Sequence, residues 1–94
     1  MNLEETVKRG HRAKQVLETD VYIDAWQAYE ARLLEELANV DRTEEQAKQL
    51  RALLIASRKA KGHLERIMRD GTHAAHELQL IERQSKFRSL FRAA

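Results

Sequence analysis

The chain has 94 residues, 43% apolar and 34% charged, with three glycines, no proline and no cysteine. That length is one small domain. The missing cysteine excludes a disulfide framework and thiolate metal sites, no apolar run approaches the ~20 residues of a membrane span, and a net charge of only +2 falls short of the basic field of a typical nucleic-acid-binding domain.

Strong helix formers dominate the sequence, so an all-α fold is expected. Residues 3–17 form the first periodic segment. Leu3, Val7, Gly10, Ala13 and Leu17 recur at spacings of three and four, which places them on one helical face. The phase breaks at Glu18-Thr19-Asp20, where Thr19 or Asp20 could cap a new helix. The second segment, 20–40, carries the stripe Tyr22, Trp26, Tyr29, Leu33, Leu37 and Val40, an a/d-like seam. Asp41-Arg42-Thr43 then reads as a turn, and Thr43 with Gln46 matches a capping box.

The third segment, 44–84, is long and basic. Ala47, Leu50, Leu53/Leu54, Ser57, Ala60, Leu64, Ile67/Met68, Gly71, Ala74/Ala75, Leu78 and Ile81 repeat near 3.5 residues. The phase runs through Gly71, which reads as an interior residue of one helix roughly 60 Å long at ~1.5 Å per residue. The alternative is a C′ glycine that ends the helix at Asp70, with Thr72 capping another.

Charge is unevenly spread. Glu18 to Glu45 holds nine acids and two bases, and Arg51 to Asp70 holds six bases and two acids. An acidic segment followed by a basic one suggests mutual pairing, and the short link makes the neighbouring helices antiparallel. The expected fold is an antiparallel hairpin with two long helices, the first arm broken near Thr19-Asp20, assembling into a helical bundle. Its core would be Tyr22, Trp26, Tyr29, Leu33, Leu37, Leu50, Leu53, Ala60 and Leu64. The register sets Trp26 opposite Ala60, Tyr29 opposite Ser57, Leu33 opposite Leu53 and Tyr22 opposite Leu64, so that large faces small. It also sets Glu35 near Arg51, Asp24 near Lys61, Asp20 near Arg66 and Glu30 near Arg58. Gly10 and Gly71 fall within about a turn of each other, as either a close helix crossing or a simple kink. A core this small gains stability from oligomerisation or a partner.

Little in the sequence supports catalysis. His73, His76 and Glu77 share a helical face, but HAAHE is not HExxH and no third ligand is placed, so solvated histidines are expected. No nucleophile motif and no glycine-rich phosphate loop is present; no enzyme activity, metal or cofactor is expected. Arg58, Lys59, Lys61 and Arg66, and the run Lys8–Lys14, could contact phosphates, or be solvated and paired. Tyr22, Trp26 and Tyr29 read as core; a base-stacking platform would need them exposed.

The tail, 85–94, holds both phenylalanines. Phe87, Leu90 and Phe91 would share a helical face flanked by Arg88 and Arg92, the form of a partner-binding docking peptide. Packing as core on residues 3–17 or on a second subunit is the plainer reading, and membrane-surface binding a third.

From Gly10-His11-Arg12-Ala13 through the Trp-containing acidic helix to the ending Leu64 to Gly71, residues 9–78 resemble small uncharacterised helical-hairpin proteins encoded among the structural genes of tailed bacteriophages. The resemblance implies a phage protein that works by assembly or by binding a phage or host protein, in the bacterial host cytoplasm or the virion. It transfers no catalytic site. Expected function is therefore protein–protein interaction in particle assembly, by a homo-oligomer. The alternatives are a nucleic-acid-binding accessory factor using the basic helix and an inhibitor of a host enzyme.

Overall fold

The computed structural model describes residues 2–93. They form three helices: α1 (Leu3–Glu18), α2 (Asp20–Leu37) and α3 (Glu44–Ala93). The last residue of the expected tail lies outside the described residues.

Local chemistry explains each boundary. The Asn2 side chain caps α1 by accepting from the Glu5 N–H at 2.8 Å, and Glu4 and Glu5 sit at the positive end of the helix dipole. Thr19 separates α1 from α2 with extended backbone. It occupies the N-cap position of α2 but makes no side-chain cap bond. Its hydroxyl instead donates back to the Gln15 carbonyl at 2.6 Å, closing the end of α1.

The α2 helix stops at Leu37, short of the expected Val40. The Asn39 side chain accepts from the Asp41 N–H at 2.9 Å, a local bond that competes with continued helix. Val40 is thereby carried out of the seam and is 95% exposed. The capping box forms as the sequence indicates: the Gln46 N–H donates to Thr43 Oγ1 and the Thr43 N–H to Gln46 Oε1, both at 3.1 Å.

The α3 helix runs 50 residues without a break. Gly71 has no positive φ, so it is an interior residue and not a C′ cap. The helix also continues through the segment expected as a separate tail. At ~1.5 Å per residue it accounts for nearly all of the 79 Å longest dimension.

Three contacts fix the arrangement: Gly10 against Gly71, Trp26 against Lys61, and Glu30 against Arg58. As numbers rise along α1 and α2 they fall along α3. The two shorter helices therefore lie one after the other, antiparallel to the long one. At the α1–α3 crossing a Cβ built on Gly10 would stand 2.7 Å from the Gly71 Cα. The glycines permit backbone contact, which answers the choice between crossing and kink.

The register departs from expectation by about one residue. In α3 the side facing α2 passes through Leu54, Ser57 and Lys61, and leaves Leu53 and Ala60 exposed. The less exposed row of α3 keeps a strict alternation of three and four from Ala47 through Leu54, Lys61 and Met68 to Leu78, so the heptad takes Leu54 and Lys61 in place of Leu53 and Ala60. Lys61 lies with its ammonium 3.9 Å from the Trp26 ring centroid. It takes the place expected for Ala60, with its charged end over the face of the ring. Of the four expected charge pairs, Glu30–Arg58 forms at 2.6 Å. Among the described residues Arg51, Lys61 and Arg66 make no ion pair with Glu35, Asp24 or Asp20 respectively.

The core is thin. Ala13, Leu33, Leu54 and Ala74 are the buried apolar residues described, and none of the large side chains described is fully buried. The Cα radius of gyration is 21.5 Å, against ~12 Å for a compact domain of this length.

Candidate docking surfaces

Two apolar surfaces are left open, one beside the hairpin and one on the overhang. Tyr22 and Tyr29 are seven residues apart and share a position on α2; Leu53 and Ala60 do the same on α3. Glu36, the next residue in the Tyr22–Tyr29 row, lines one groove with Gln46, Leu50 and Leu53. Both rows thus border the same side of the hairpin. Tyr29 is 45% exposed and Leu53 49%; Ala60 is exposed and Tyr22 half-buried. Of the expected core, Leu33 is buried, and Trp26, Leu37, Leu50 and Leu64 are half-buried. Tyr29, Leu53 and Ala60 are therefore corrected from core to surface in the single chain. The Trp26 Nε1 is buried without a hydrogen-bond partner, so the ring is held by packing and by Lys61. An Arg42–Glu36 ion pair braces the turn end of this side.

The second surface is the overhang. Past Leu78 every α3 side chain described is exposed, because Leu3 marks the end of α1. Phe87 is 62% exposed, Leu90 71% and Phe91 69%, with Leu80 at 45%. The two phenylalanine rings meet edge to face at 4.8 Å between centroids, so they touch each other and leave their outer faces open. At ~100° per residue, Leu80, Phe87 and Phe91 lie about 160–220° round the helix from Gly71 and Leu78, which face α1. The stripe is on the back of α3, and the row facing α1 continues instead into Glu82, Ser85 and Ser89. Arg88 and Arg92 are exposed as expected, Arg88 at one edge of the stripe.

The expected phosphate-contacting row divides. Arg58 is engaged by Glu30 and Lys61 by Trp26. Lys59 and Arg66 are exposed, and they line a shallow groove with Gly62, His63 and Arg69. His73 and His76 are exposed, and among the described residues no group of three or more His, Cys, Asp or Glu could hold a metal ion. Within the run Lys8–Lys14, Arg9 and Arg12 edge a groove against Leu64 and Ile67, while Lys14 lies 4.0 Å from Glu18. No helix among the described residues is long and apolar enough to cross a membrane.

Reading the sequence missed the Lys61–Trp26 contact and the row Lys59, Arg66, Arg69, His73 that continues into the overhang stripe. The signal for the second was present, since residues 59, 66, 73, 80 and 87 share one heptad position. No protein-family model matches this chain, and neither does any curated protein or solved structure.

Proposed function

We propose that this chain is a non-enzymatic assembly protein. Two copies complete a helical bundle by packing the hairpin sides that carry Tyr22, Tyr29, Leu53 and Ala60 against each other. The observation that carries this reading is the exposure of an a/d seam. In a four-helix bundle such residues point to the bundle centre, so in one hairpin alone they stand half open, as Tyr29 and Leu53 do. The thin core of the single chain supports the same conclusion, because a domain of this size normally needs a larger one or a partner. The setting we propose is phage particle assembly, on the resemblance of residues 9–78 alone. Leu53→Lys and Tyr29→Lys test the interface by sedimentation equilibrium. Each should raise the concentration needed for self-association at least tenfold while leaving the monomer helical. Self-association that ignores both changes would remove this side as the interface.

A further inference from the structure

The bundle side leaves the back of α3 unused, and that back is a continuous surface of its own. From one end it presents Ile55, Lys59, Gly62, Arg66, Arg69, His73 and His76, then Leu80, Phe87 and Phe91, over about 54 Å at ~1.5 Å per residue. All of these are exposed. Glu65 and Glu77 lie at its edges, and Arg83 and Arg88 flank the aromatic end. Charge is unevenly spread between the helices. The acid-rich α2, with Asp20, Asp24, Glu30, Glu35 and Glu36, packs on the Leu54–Ser57–Lys61 row of α3, and Glu30 holds Arg58 beside it.

We infer that this back face is a peripheral binding site for an anionic lipid bilayer. The helix would lie flat with Leu80, Phe87, Leu90 and Phe91 below the headgroups and Lys59, Arg66 and Arg69 against them. Three observations select that occupant. The face is straight and lies on one uninterrupted helix, so a plane can meet its whole length. Neither α1 nor α2 stands on that side, so the aromatic end is free to enter the ~5–10 Å of the headgroup–acyl boundary. Lys59, Arg66 and Arg69 share the face with the apolar residues and outnumber its edge acids, Glu65 and Glu77, which gives the net sign an anionic surface requires. A polyanion such as nucleic acid would meet the same cations, but gains nothing from Leu80 and Leu90.

The test uses the full chain and extruded vesicles of phosphatidylcholine, with and without one-quarter phosphatidylglycerol, read by flotation. Binding to the anionic vesicles and not the neutral ones is expected. Lys59→Gln/Arg66→Gln/Arg69→Gln should weaken it roughly hundredfold, at about fivefold per charge near the surface. Phe87→Ala/Phe91→Ala should weaken it at least tenfold with the circular dichroism spectrum unchanged. Two results would overturn the proposal. One is vesicle binding indifferent to the phenylalanine pair. The other is no vesicle binding together with binding to a single-stranded or duplex oligonucleotide that only the basic triple variant abolishes.

Discussion

The same substitution should have opposite effects at two glycines of one helix. Gly62 and Gly71 both lie inside α3, where alanine is intrinsically better by ~0.8–1.0 kcal/mol. A Cβ at Gly62 would meet nothing within 4 Å, so Gly62→Ala should realise that gain in full. A Cβ at Gly71 would stand 2.7 Å from the Gly10 Cα, 3.2 Å from the Thr6 carbonyl oxygen and 3.4 Å from the Gly10 nitrogen. All three are backbone atoms, so no side chain can swing aside. The helices must separate by roughly an ångström at the place where Gly10, Ala13, Gly71 and Ala74 are buried. Overpacking of this kind costs ~1–3 kcal/mol, and an unyielding neighbour puts it in the upper half of that range. After the propensity gain, Gly71→Ala should be destabilising by ~1–2 kcal/mol. For a domain of this size, ~1 kcal/mol moves the Tm by about 4–8 °C. Thermal melts followed at 222 nm, at one fixed protein concentration because assembly raises the apparent Tm, should show Gly62→Ala above the parent and Gly71→Ala below it. If both variants rise together, α1 does not cross α3 at Gly10.

Thr43→Ala removes one half of the capping box at the start of α3 and should cost ~1 kcal/mol in urea melts. Ala60→Trp, which the expected register would make an overpacked core, should change monomer stability by less than ~0.5 kcal/mol, because Ala60 is exposed; the variant is best measured at concentrations too low for assembly. Leu33→Ala and Leu54→Ala, by contrast, should each cost ~2–3 kcal/mol, since both side chains are buried. Phe87→Ala/Phe91→Ala should leave the Tm within a few degrees of the parent, against the ~3–5 kcal/mol per residue that a buried pair would lose. A large drop would show that the overhang packs as core.

The elements were legible where the chemistry is local. Thr43 and Gln46 announce a helix start because each satisfies the other's orphan amide. The phase carried through Gly71 announces one long helix, because a period cannot survive a turn. Register was less legible. The apolar pattern allows Leu53 or Leu54 to face the partner, and the heptad that continues from Leu54 runs through Lys61, a residue an apolar pattern does not count. Volume matching favoured Ala60 beneath Trp26, but a lysine ammonium over the indole face is a favourable partner too. Val40 was lost from the seam because Asn39 turns the chain by a side-chain bond that periodicity does not register. The exposed side was hidden for another reason. An a/d stripe looks the same whether its partner is in the same chain or in a second copy, so Tyr29 and Leu53 read as core in the sequence and as surface in the single chain.

Whether the chain completes its core with a second copy is decided most directly by sedimentation equilibrium of the unaltered protein across a hundredfold range of concentration. With an 11.0 kDa chain, the account predicts a mass that converges on two chains or a multiple of two as concentration rises. It further predicts that the Tm climbs in parallel. A fixed single-chain mass throughout, with a cooperative melt that does not shift with concentration, would contradict it.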